Sequence, residues 1–217
     1  MACTSSAELA AAATYIAEVA MRSVQTDDGG VRVEDYLTVL AASAGEAVLV
    51  SAGLFDIEHN ELAPGAAVFG DRINEILTGD SIVWADLTAD TVLGLYHAEL
   101  VPLPVAADVL PDPRRLYEHV AGSVNSAPWG HVTTVPADNQ PRVMPLRAAF
   151  EMRATVDHAV ASANVDSVQR WVPCVLAVCV AVRQVHAAID MRVASTLIME
   201  VVFAMAKTVP MPTVELS

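Results

Sequence analysis

The chain has 217 residues, 54% of them hydrophobic and 18% charged, with a formal net charge of −14. That length holds one large domain or two small ones, and the composition lies far from that of disordered chains. An acidic surface repels nucleic acid and anionic lipid, so neither is an expected partner.

The mean hydropathy of +0.43 implies more apolar surface than a small monomer hides. A homo-oligomer, or a helix buried on all sides, absorbs the excess. Aromatic residues make up only 5%, so the core is aliphatic and Ala-rich, which suits close helix–helix contact. Charge is uneven along the chain. Met1–Asp112 carries about −15 and Pro113–Ser217 about +1. A solvated acidic surface explains this, and so does pairing of basic residues in the second half with carboxylates of the first. Arg supplies nearly all the positive charge, and Arg suits buried bidentate pairing.

Of the three cysteines, Cys174 and Cys179 lie five apart on different sides of one helix and cannot bridge. Cys3 sits near the N-terminus, and no zinc spacing exists. The first residues lack a basic region and lead into an amphipathic stretch with Glu8 and Glu18, unlike a signal peptide. The expected compartment is the reducing cytoplasm, with free thiols.

In chain order, Ser5 or Ser6 caps a helix reaching about Val24, and Glu8 stands at the capping-box offset from Ser5. Asp27-Asp28-Gly29-Gly30 ends it as a turn. A second helix covers Val33 to Gly53. Its block Ala41-Ala42-Ser43-Ala44-Gly45 has almost no side chain, so another helix can come close there. Leu54–Gly65 reads as a loop. Pro64-Gly65 opens a third helix, about Ala66 to Thr78, closed by Gly79. Thr88 or Asp90 caps a fourth, to about Leu100. Val101–Pro111 is mostly extended. Asp112-Pro113 starts a fifth helix to about Val124, as an N-cap followed by Pro at the first helical position. Ser126–Met144 is the longest irregular stretch. Pro145 restarts helix to about Ala163.

Asp166 then caps the approach to the last apolar run, Pro173 to Lys207, with Pro173 expected to bend the helix. Its uninterrupted apolar part, Pro173 to Val182, is too short for a bilayer, which needs roughly 20 such residues. It reads as a core helix. Its polar residues form two stripes. Arg183, His186 and Asp190 share one side, and Arg192, Thr196, Glu200 and Lys207 share another, roughly a quarter turn away at about 100° per residue. Either the helix breaks near Asp190 or its neighbours change there, and a partner subunit covering one half gives the same pattern. No strand pattern is long enough to count, Val132–Val135 being the only β-like piece.

Three constellations can carry chemistry. Asp56, Glu58, His59 and Glu61 combine carboxylates with imidazole, as divalent-metal sites do, but a hydrated acidic loop explains them more simply. No Glu-x-x-His pair of the di-iron kind occurs. Trp129-Gly130-His131 lies in the long Pro-rich stretch, where loops often serve as lids or binding loops. Trp129 can stack on a ligand and His131 can act as a base, with Arg142 further along as a third ligand-binding candidate. The plainer reading is a loop strapped down by a buried Trp129. His186 and Asp190, one turn apart with Arg183 beside them, form half of a nucleophilic triad, yet no nucleophile elbow, Walker sequence or dinucleotide fingerprint occurs. A satisfied buried pair is the simpler account. His97 with Glu99, and Glu118 with His119, read as exposed helix residues.

The resulting expectation is an all-α fold: a single bundle-like domain over 1–217, with six to eight helices around a long, largely buried C-terminal helix. Its function is expected to be non-catalytic: a homodimer binding a small apolar ligand or a protein partner, with no catalytic residue, metal or cofactor assigned. The alternative is a small-molecule enzyme with a site under the 126–144 loop using His131 or His59. A polar cavity containing His favours the enzyme, and a dry or absent one favours the binding protein.

Overall fold

The computed structural model describes residues 5–53, 57, 61–103, 109–124 and 134–212. Trp129 and His131 lie outside these residues, as do Asp56, Glu58, His59 and Cys3. The described chain forms eight α-helices and no strand, so the all-α bundle expected from the sequence is the fold.

Helix α1 spans Ser6–Ser23. Its first turn is closed reciprocally: the Glu8 amide donates to Ser5 Oγ at 3.3 Å and the Ser5 amide donates to Glu8 Oε2 at 2.8 Å. This satisfies two amides that a helix start leaves unpartnered. Helix α2, Val33–Ser51, is buried on nearly every side. It packs against α6 (Pro145–Ser162), α7 (Trp171–Val185) and α8 (Met191–Met205), which makes it the axis of the bundle. Small side chains from Ala41 to Gly45 permit this, since neighbours can approach from several directions.

The C-terminal apolar run is largely buried, as expected, and it is two helices rather than one. Asp190 Oδ1 takes the amides of Arg192 at 2.7 Å and Val193 at 3.4 Å, so α8 has an N-cap of its own. The two polar stripes therefore belong to two helices. Pro173 sits in the first turn of α7, where a missing N–H removes no intrahelical bond. Residues Ser167–Val185 are long and apolar enough to cross a membrane. In the bundle, the core residues of α7 are covered by α1, α2 and α4 (Val92–Leu100).

The expected third helix is shorter than its sequence suggested. Helix α3 spans Asp71–Thr78, and residues 66–70 are extended. The Val68 amide donates to the Lys207 carbonyl at 2.7 Å, and the Val209 amide donates to the Ala66 carbonyl at 2.8 Å. These bonds satisfy backbone groups that a helix would otherwise have paired within itself. Gly79, at φ 66°, closes α3 in the left-handed region that favours glycine. Helix α5, Pro113–Ser123, begins as read, with Asp112 Oδ1 accepting from the Arg114 amide at 2.9 Å.

The two halves of the chain do exchange charge. Arg153 on α6 meets Glu46 on α2 in a buried fork, Nε to Oε1 at 2.8 Å and Nη2 to Oε2 at 2.9 Å. Arg183 on α7 meets Glu99 on α4 at 2.8 Å. Cys174 and Cys179 are free and buried. Burial pushes the Cys174 thiol up to about 12 and raises that of Cys179 as well, so neither is a nucleophile in the folded chain.

Candidate functional site

Helices α5 and α8 pack together. Arg115 and His119 are one turn apart on α5, and Thr196 and Glu200 are one turn apart on α8. Residues four apart share a helix face, so each pair projects to one side. With Leu110, Pro111, Asp112, Leu116 and Thr134 they enclose a cavity of about 380 Å³, within the size range of small-molecule sites.

Glu200 is only 4% exposed. Thr134 Oγ1 donates to its Oε1. Its Oε2 is buried and has no hydrogen-bond partner among the described residues. Three other buried polar atoms share that condition, on Arg32, Thr38 and Arg170, and none of those residues lines this cavity. A larger, polar cavity of about 600 Å³ lies between α3, residues 88–91 and the start of α7. Its Arg72 and Glu75 already pair with each other at 2.8 Å. A groove of about 200 Å³ between α1 and α6 holds Tyr15 edge-on to His158 at 5.7 Å.

Further along the same stripe of α8, Phe203 meets Tyr117 of α5 edge-on at 5.1 Å. Just past the helix end stands Lys207, the chain's only lysine. It is 4% exposed. Its Nζ donates to Asn74 Oδ1 at 2.6 Å and lies 4.9 Å from the Tyr117 ring and 5.8 Å from that of Phe69. No carboxylate pairs with it among the described residues. Burial lowers its pKa from 10.5 to about 8, and burial likewise raises that of Tyr117.

This gives a pH dependence of definite sign. Between about pH 8 and 10 the unfolded chain keeps a proton that folded Lys207 has released. Its contribution to stability therefore rises with pH across that window. Buried Cys174 and Tyr36, shifted upward to about 12, work oppositely at alkaline pH, so a difference must be read. The stability gap between Lys207→Met and wild type should move in favour of wild type as pH rises from about 8 to about 10. Urea melts of both proteins at unit pH steps measure it, and a constant gap would mean that the ammonium stays solvated.

Of the ligand-binding candidates Trp129, His131 and Arg142, only Arg142 lies among the described residues. Its side chain is exposed, and its backbone amide donates to Asp35 Oδ1 at 2.6 Å beside the N-terminus of α2. It does not line the α5–α8 cavity. His186 and Asp190 are not a pair. His186 Nδ1 contacts the Arg183 carbonyl at 2.9 Å, and Asp190 caps α8. His97 lies edge-on to Trp84 at 5.6 Å. His119 faces the cavity rather than open solvent. Glu200 and Lys207 were visible as a stripe in the sequence. Thr196 and Glu200 of that stripe face α5, and only the packing of α5 on α8 reveals that.

The fold and site together define an all-α bundle with a buried carboxylate at the floor of a partly polar cavity. Compared with protein-family models, with curated proteins and with solved structures, the chain matches none.

Proposed function

We propose that this is a soluble cytoplasmic protein that binds a small molecule in the α5–α8 cavity. One observation carries the reading: Glu200 Oε2 is buried, belongs to a cavity-lining residue and has no donor among the described residues. Leaving a buried polar atom unpartnered costs about 1–3 kcal/mol. A ligand donor would offset that cost. Because the floor is a carboxylate, a ligand with an N–H or O–H group fits better than the wholly apolar one that the composition suggested.

Two measurements test this. Without ligand, Glu200→Met should raise stability by about 1–2 kcal/mol, because the unsatisfied oxygen is gone and Thr134, which is exposed, can turn to water. Native mass spectrometry of protein purified from its own host should show a small-molecule adduct on the wild type and none on Glu200→Gln. A destabilised Glu200→Met together with an adduct-free wild type would make the carboxylate a purely structural group and end the proposal.

Catalysis is the second reading, favoured by an imidazole, His119, in the same cavity as the carboxylate. An acid–base role requires that His119→Gln abolish turnover of the bound molecule while leaving its binding in place.

We also propose the homodimer. Exposed Leu62, Phe69, Val83, Val101, Met144 and Val168 support it, and a specific interface buries more than about 1,000 Å² in total. Sedimentation at micromolar concentration should give twice the chain mass of 22.9 kDa. A 22.9 kDa species alone would refute the dimer.

A further inference from the structure

We infer that the molecule bound between α5 and α8 is a small organic amine, held with its protonated nitrogen on Glu200 and its carbon body along Leu110, Pro111 and Leu116. The inference rests on the binding role proposed for this cavity and adds the ligand's chemical class.

The floor supplies acceptors. Glu200 Oε2 has no partner among the described residues. Thr134 has its hydroxyl proton committed to Glu200 Oε1, so toward the cavity its oxygen can only accept. Thr196, one turn before Glu200, adds a hydroxyl that accepts as readily as it donates. An ammonium group brings three N–H donors and no acceptor, which complements this set. A neutral alcohol brings one donor and forms a weaker bond to a carboxylate than a charged donor does.

Charge points the same way. The buried charge in the cavity is negative. Arg115 lies at the exposed rim with Asp112 on the same cavity wall, where water and salt screen both. A desolvated carboxylate therefore sets the sign that the floor prefers. An anionic ligand would leave Glu200 facing like charge. A metal ion is a poorer fit, since no three His, Cys, Asp or Glu side chains group to hold one among the described residues. The remaining wall, Leu110, Pro111 and Leu116, offers apolar surface for an alkyl or aryl body.

The test is a titration of the full-length chain with hexylamine, 1-hexanol and hexanoate, followed by calorimetry or ligand-observed NMR at pH 7. Wild type should bind hexylamine at least about tenfold more tightly than 1-hexanol, the scale of one charge-assisted hydrogen bond, and hexanoate most weakly. Glu200→Gln should lose the amine preference yet keep its affinity for 1-hexanol within about twofold. Equal binding of amine and alcohol by wild type, or an amine preference that survives Glu200→Gln, would overturn the inference. Preference for hexanoate would overturn the amine class while leaving a ligand-binding cavity. Failure of all three probes would overturn the amine class too, and an adduct in native mass spectrometry would still stand or fall separately.

Discussion

Arg153→Ala should destabilise the protein by about 3–5 kcal/mol, the usual cost of breaking a buried ion pair from one side. Glu46 would stay in the core, between α2 and α6, without the fork that now holds both its oxygens at 2.8 and 2.9 Å. Both side chains are at least nine-tenths buried, so water does not replace the guanidinium cheaply. The lost charge is not the whole effect. Arg153 also lies over the Phe150 ring at 5.4 Å, and its stem fills space between the helices. A domain with a total stability of about 5–15 kcal/mol would lose a large share of it.

The double variant Glu46→Met/Arg153→Met separates the causes. It removes both charges and keeps apolar volume, and such replacements are often neutral or stabilising. It should therefore recover most of the loss. Urea unfolding followed by circular dichroism gives both numbers. A loss below about 1 kcal/mol for Arg153→Ala, the range of exposed pairs, would show that solvent reaches Glu46.

That pair also shows which parts of the molecule the residue pattern made legible. Local signals held where their chemistry is local. Ser5 with Glu8 closes α1 and Asp112-Pro113 opens α5, because each motif satisfies its own neighbouring amides. The two polar stripes in the last apolar run marked the break at Asp190, since one straight helix cannot keep both on one polar face. Long-range choices were not legible. Nothing near Ala66 announces that it pairs with Val209, and nothing near Glu46 names Arg153, 107 positions away. The site failed to show for the same reason. His119, Thr196 and Glu200 acquire meaning only when α5 lies on α8, and each looks ordinary on its own helix. Glu200 stood in a stripe whose covering stayed open between neighbouring helices and a partner subunit, because a helix pattern says which residues share a side and not what covers that side.

Gly45→Ala should cost about 2–3 kcal/mol, although the same change in an open helix would be favourable. Alanine gains about 1 kcal/mol over glycine in helix propensity. Here the added Cβ would stand 2.6 Å from Met205 Cβ, 2.6 Å from the Val202 carbonyl oxygen and 3.0 Å from the Ala206 amide. Two of those atoms are backbone and the third is a Cβ, so no rotamer change relieves the contact. α2 and α8 must separate, and overpacking of that kind costs typically 1–3 kcal/mol and sometimes more. The clash outweighs the propensity gain because it falls at the closest approach of the two helices, the approach that the small residues Ala41 to Gly45 permit. Val202, Met205 and Ala206 face α2 here, while Thr196, Glu200 and Phe203 on the other side of α8 face α5. Pushing α8 off α2 therefore presses it toward the cavity. Gly45→Ala should weaken the ligand binding proposed for that cavity as well as stability, although Gly45 does not line it. Gly122→Ala is the control, since its Cβ meets nothing within 4 Å on α5, and it should be neutral or slightly stabilising. Thermal melts of the two variants give the comparison. Equal melting temperatures would mean that α2 and α8 are looser than the 2.6 Å contacts require.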